Sequence, residues 1–262
     1  MKVGIIGCGF IGSEIAYFID KNREFKLIGL NDIDKNKVNE LIKNLKHKPL
    51  FMGLNDLIKN SDLIIESATK NIIRDILSNK NLDKKYKKLL IMSTGGLIKS
   101  LNLLNKIKNC EILLPSGAIA GLDAIKSASG RIRSLTLTTT KPIQGLGGTP
   151  YILKNRIDLK KISREKIIFE GSLKDAISGF PQNINVAATL FLASKFKNIK
   201  VKIIADPNTK YNLHEIEAAG DFGVIKAATK NIPSKNPRTS YLAVLSVIQA
   251  IKNTKDNLKI GN

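Results

Sequence analysis

In the first third of the chain, apolar residues fall in short, nearly unbroken runs, and the segments between them carry apolar residues at helical spacing. Residues 2–6, Lys-Val-Gly-Ile-Ile, form one such run, and Gly7-Cys8-Gly9-Phe10-Ile11-Gly12 follows it directly. Residues 13–20 then carry a helical pattern, and 25–30 form a second apolar run ending at Asn31-Asp32. Strand, glycine turn, helix and strand within about thirty residues is the size of one βαβ unit. Further strands are expected at 63–66 and 89–92, with helices near 38–45 and 72–77. Apolar strands alternating with helices imply a parallel sheet covered on both faces, a Rossmann-type doubly wound α/β domain.

The pattern changes after residue 114. Residues 131–140 alternate, with Leu135 and Leu137 on one face between polar neighbours, and 166–170, 201–205 and 212–218 are further strand candidates. Half-polar strands of this kind suggest a mostly antiparallel sheet with one covered face. Residues 183–194 read as an apolar helix packed on it, starting just after Phe180-Pro181. A last helix, 241–252, follows Pro237 and is expected to return to the first domain. The expected plan is therefore a dinucleotide-binding domain of residues 1–114 plus 236–262, with an inserted α+β domain, 115–235, carrying substrate and dimer contacts.

Composition narrows the function classes. The 262 residues, 43% apolar and 25% charged, are ordinary for a globular protein with a real core. No window approaches the ~18 uninterrupted apolar residues of a membrane span. Glycines break the first apolar run too early for a signal peptide. Cys8 and Cys110 make no disulfide framework, and with two histidines there is no metal-ligand spacing. A soluble cytoplasmic protein without a structural metal is expected. The net charge of +21 attracts anions in general, but the lysines are spread along the chain and aromatics make up only 5%. The richness in Lys, Ile and Asn reads as a general compositional bias; neither nucleic acid nor membrane is expected as a partner.

The glycine turn has the form G-x-G-x-x-G, and its context gives it meaning: it follows a strand and opens a helix. Gly7 permits the tight turn, Gly9 leaves room for a diphosphate, and Gly12 lets helix and strand approach closely. The N–H groups of Phe10, Ile11 and Gly12 at the helix start then face negative charge. Asp32, twenty positions beyond Gly12, can accept from the ribose hydroxyls and repel a 2′-phosphate, which favours NAD. Asp34 competes for that role, a solvated turn is the plain reading of both, and Lys35 and Lys37 leave NADP open.

Three later segments are unusual for mere scaffold. They are Pro115-Ser116-Gly117-Ala118-Ile119-Ala120-Gly121-Leu122-Asp123, Phe180-Pro181-Gln182-Asn183-Ile184-Asn185-Val186-Ala187, and Asn212-Leu213-His214-Glu215-Ile216-Glu217. Together with the glycine turn and Gly220-Asp221-Phe222-Gly223, they resemble the L-aspartate dehydrogenase family over nearly the whole chain. The resemblance implies nicotinamide-dependent oxidation of L-aspartate to iminosuccinate, which can supply NAD biosynthesis, and a dimeric or larger assembly. It implies that His214 is the active-site histidine and that Asn185 contacts the cofactor, NAD or NADP. It also implies a cofactor contact from the alanine of the Ser-Gly-Ala loop, matched to Ala118 or Ala120.

The chemistry asks for such groups on its own account. Oxidising an amine to an imine needs an α-amine that has lost its proton, and a histidine with an ordinary pKa near ~6.5 can take it. Strand alternation gives His214 the same face as Ile216 and Ala218, the inner one. Asp206 is a candidate for ordering it. Substrate carboxylates need cations or N–H donors, for which Lys141 and the loop at Ser116 are candidates. His47 reads as surface and Asp221 as a turn residue. Three rivals remain: another two-domain dehydrogenase or reductase, like homoserine dehydrogenase or dihydrodipicolinate reductase; a non-catalytic dinucleotide-binding redox sensor or scaffold; and, from the basic charge, an anion- or nucleic-acid-binding role.

Overall fold

Strand β1 (Lys2–Ile6) is buried at every residue after Lys2, and β4 (Leu63–Glu66) is buried throughout, so both lie inside a sheet covered on its two faces. The computed structural model describes residues 1–181, 184–234, 239–258 and 260. Gln182 and Asn183 of the expected helix start, and Pro237 ahead of the last helix, lie outside them. By its contacts the chain divides into two units, residues 1–115 and 116–262. Among the described residues no helix is long and apolar enough to cross a membrane.

The first unit adds β2 (Lys26–Asn31), β3 (Leu50–Phe51), β5 (Lys88–Ile91) and β6 (Glu111–Leu113). The strand order is β3-β2-β1-β4-β5-β6, and every pairing is parallel. The order reverses direction between β1 and β4, the place where open α/β sheets bind ligands beyond their strand ends. Helix Phe10–Asp20 buries Gly12, Ile15, Ala16 and Ile19, one face at spacing three to four. Burying an isoleucine like Ile15 stabilises by about 1.5–3 kcal/mol, so this face holds the helix start in place. Strands β3 and β6 have two and three residues and fall below what periodicity can show.

The second unit is a five-stranded mixed sheet of β7 (Ile132–Lys141), β8 (Lys166–Ser172), β9 (Lys200–Ala205), β10 (Asn212–Gly220) and β11 (Gly223–Asn231), in the order β11-β10-β7-β9-β8. Only β7 and β9 pair in parallel. One face is covered: Leu135, Leu137, Ile203, Ile216 and Ala218 share a core with Ala187 and Leu190 of helix Asn185–Ser194. Phe180 is fully buried, 5.2 Å from the Tyr151 ring and 5.4 Å from that of Phe169. Strand β11 carries no run of large apolar residues and is exposed at alternate positions, so the hydrophobic pattern does not announce it. The C-terminal helix Tyr241–Asn253, expected with the first domain, groups with this unit, where its Ser246 Oγ accepts the Gly117 N–H at 3.0 Å. The second unit by contact is thus one continuous stretch of chain.

Candidate functional site

The first unit builds an anion cradle from backbone. Gly7 sits at φ +97°, and a Cβ there would lie 2.6 Å from the Ala68 nitrogen. A Cβ on Gly12 would overlap the Gly7 carbonyl oxygen, whereas one on Gly9 would meet nothing within 4 Å. Two glycines are therefore required by the fold, and the third is free of it. Gly9 caps helix Phe10–Asp20 in extended backbone with no side-chain cap, and its carbonyl takes the first helical bond from Ser13. The donors of Phe10, Ile11 and Gly12 thus open the helix at its positive end. An open Gly9 beside an uncapped helix start fits a dinucleotide diphosphate.

Asp32 stands just past β2. Its Oδ2 accepts the Cys8 N–H at 2.7 Å and its Oδ1 accepts the Asp34 N–H at 2.9 Å, so the carboxylate locks the glycine turn against the end of β2. Asp34 instead caps helix Lys35–Asn44 by accepting from the Asn36 N–H. Burial, followed by the Asp32 charge, pushes the Cys8 thiol up to about 12, so it remains a neutral packing group.

Glu66, at the end of β4, carries no motif and is absent from any sequence-based reading beyond its strand. It is fully buried, and its Oε1 accepts the Ala68 N–H (2.9 Å) and the Ser93 hydroxyl (2.8 Å). Its Oε2 accepts the Ser93 N–H at 2.9 Å. Burial raises its pKa against the lowering effect of these bonds. Ser67, next in the chain, donates its hydroxyl to the Gly7 carbonyl at 2.9 Å. Glu66 thereby ties the loops after β4 and β5 beneath the glycine turn.

In the second unit the covered face of the sheet changes character along the strands. Leu135, Ala218 and Ile225 form one cross-strand row, and Leu137, Ile216 and Ala227 the next. Then come Thr139, His214 and Thr229, directly paired across β7, β10 and β11. His214 is buried, with its Nδ1 3.0 Å from Thr139 Oγ1. Burial, and after it the charge of Lys141, pushes its pKa down to about 3, so the imidazole is neutral at neutral pH. Glu215 and Glu217 point to the other, exposed face, as strand alternation requires.

Lys141 ends β7 and is itself buried. The Ala118 carbonyl accepts from Thr229 Oγ1 (2.7 Å) and from Asn231 Nδ2 (3.0 Å), which pins the 116–121 loop to the edge of the polar rows. Ala118 is buried, whereas Ser116 and Ala120 are exposed. Asn185 is the exposed first residue of its helix, and its carbonyl accepts from Thr189 Oγ1. The fold brings His214, Lys141 and Ala118 together around one polar end.

Asp206 does not order His214. Its Oδ1 accepts the Asn208 N–H at 2.9 Å and closes its own turn, and Thr139 holds the imidazole instead. His47 is exposed beside Asp20, and Asp221 pairs with Arg131 at 2.8 Å on the surface. Thr139, Thr229 and Asn231 escape sequence reasoning because only strand register gives them meaning. The Thr138-Thr139-Thr140 run alone hints at a polar strand end. Among the described residues no cluster of His, Cys, Asp and Glu could hold a metal ion.

Known proteins match both halves. Residues 7–111 match the model of the homoserine dehydrogenase NAD binding domain, and residues 123–254 that of the aspartate dehydrogenase C-terminal region. The L-aspartate dehydrogenase of Methanosarcina mazei is 41% identical, covering 100% of this chain and 99% of its own. That of Methanosarcina barkeri is 42% identical with the same coverage. The crystal structure of aspartate dehydrogenase from Thermotoga maritima is similar at a TM-score of 0.75 and 25% identity, covering 100% of this chain and 99% of its own. With its second-unit motifs, its fold and its full length all matched, the chain belongs to the L-aspartate dehydrogenase family.

Proposed function

We propose that this protein oxidises L-aspartate to iminosuccinate with NAD or NADP, and that His214 is the acid/base. The observation that carries the proposal is a neutral imidazole buried beside Thr139, in the field of a buried lysine, at the polar end of an apolar sheet face. The dinucleotide, when bound, supplies the hydride acceptor. The chain's own part is to hold the substrate and move a proton. With Nδ1–H donating to Thr139 Oγ1, the Nε2 lone pair of His214 is available to take a proton from the substrate α-ammonium. Lys141 attracts a carboxylate, and Ser116 is a second polar contact on the neighbouring loop. A dicarboxylate at Lys141 offsets the charge that depresses His214, so substrate arrival itself raises the basicity of the imidazole.

In this reading the uncapped helix start with Gly7, Gly9, Phe10, Ile11 and Gly12 binds the diphosphate, and Asp32 meets the adenosine ribose. Asn185 and Ala118 supply further cofactor contacts; the pinned carbonyl and burial of Ala118 favour it over exposed Ala120. The enzyme is taken to work in the cytoplasm as a homodimer on a small-molecule substrate. The test is reduced-cofactor formation, followed by absorbance, with purified protein offered L-aspartate, other amino acids and hydroxy acids in turn. Selective turnover of L-aspartate is expected; turnover of another substrate alone would discard the proposal.

A further inference from the structure

Beyond the row of Thr139, His214 and Thr229 lies one more polar row. Asn212 pairs with Asn231 of β11, and the register that pairs Leu213 with Thr140 sets Asn212 beside Lys141 of β7. Asn212 lies on the same side of β10 as His214, since both alternate inward with Ile216 and Ala218. It is 1% exposed, yet neither its Nδ2 nor its Oδ1 has a hydrogen-bond partner.

An orphaned buried carboxamide is unusual, because leaving it unpaired costs about 1–3 kcal/mol. Its neighbours do not share the condition: Asn231 Nδ2 bonds the Ala118 carbonyl and Thr229 Oγ1. A leucine at 212 would fill similar space with nothing left unsatisfied. A group that weakens the apo fold, set beside a buried cation and two positions from the acid/base, indicates a partner that arrives from outside.

Resting on the reading of this chain as an aspartate dehydrogenase, we propose that the Asn212 carboxamide is a substrate-recognition group, donating from Nδ2 to the carboxylate that Lys141 attracts and accepting at Oδ1 from the substrate amine. An amino acid carries acceptor and donor together, as the two orphaned atoms require. The terminal torsion of asparagine is broad, so the amide turns to meet the ligand at little cost. A carboxylate with no donor on its α-carbon leaves Oδ1 unpaired and is bound less well accordingly.

The test compares wild type, Asn212→Leu and Asn212→Ser by steady-state kinetics, NADH titration and thermal unfolding. For Asn212→Leu the melting temperature of the ligand-free protein is expected to hold or rise by about 2–4 °C, since an unpaired amide is removed. The KM for L-aspartate rises tenfold or more, and NADH affinity stays within twofold. Asn212→Ser keeps one donor and falls between the two. An unchanged KM in both variants overturns the proposal. So does a joint loss of melting temperature, NADH affinity and KM in both, which is the signature of a merely structural residue. If wild type does not turn over L-aspartate, the activity reading fails separately. Succinate with NADH then decides: a thermal shift in wild type that vanishes in Asn212→Leu upholds carboxylate recognition, and no shift in wild type overturns it.

Discussion

The glycine turn of the first unit and the polar end of the second sheet are built on opposite principles. The turn is built from main chain: the N–H groups of Phe10, Ile11 and Gly12 open its helix, and the fold requires that side chains be absent at residues 7 and 12. The polar end works through side chains that three strands bring together from residues 139–141, 212–214 and 229–231. In the first, chemistry resides in backbone conformation, which contiguous residues dictate. In the second, it resides in register, which depends on pairing between segments some seventy residues apart. The two sites should therefore fail differently when altered.

Replacing His214 with alanine tests the side-chain site most severely. Loss of a general base is expected to lower kcat by about 10²–10⁴-fold with NADH affinity retained, as steady-state kinetics and NADH titration would show. Full turnover by that variant would end the proposed mechanism. Next in size is Glu66→Ala, which strands the Ser93 N–H and the Ser93 hydroxyl in a buried place and takes the acceptor from the Ala68 N–H. A loss of about 2–3 kcal/mol in denaturant unfolding is expected, along with weaker NADH binding as the loops beneath the glycine turn loosen.

The glycines give the sharpest contrast within the backbone-built site. Gly12→Ala forces a methyl against the Gly7 carbonyl and is expected to cost about 1–3 kcal/mol of stability as well as NADH affinity. Gly9→Ala meets no protein atom, so its melting temperature should match wild type while NADH binding falls. Equal thermal losses in the two variants would contradict the division between fold-required and ligand-facing glycines.

The last contrast concerns pH. His214 is held at about 3 in the fold against about 6.5 unfolded, so between those values the unfolded chain binds the extra proton. Stability therefore falls as pH drops from about 6.5 towards 3, by up to about 1.4 kcal/mol per unit from this one group. The loss is absent above the unfolded value. His214→Asn should flatten that slope in unfolding measured from pH 7 to pH 4, whereas Asp32→Asn, in the other site, should leave it in place.

Sequence alone already carries the doubly wound sheet, the glycine turn and the inward face of His214. Runs such as 63–66 have no polar position to hide, and G-x-G-x-x-G between a strand and a helix is a local conformational demand. Strand alternation over 212–218 likewise settles which side His214 takes. Short-range physics suffices for all three. Tertiary structure decided what faces what. It placed Thr139 rather than Asp206 against the imidazole, gave Glu66 three donors from two loops, and laid β11 along the edge with Thr229 and Asn231 on the Ala118 carbonyl. It also grouped the C-terminal helix with the second unit and left the Asn212 amide unpaired beside Lys141. A hydrophobic pattern fixes only inside and outside. The partner of each buried polar atom follows from register and packing, which no single segment contains.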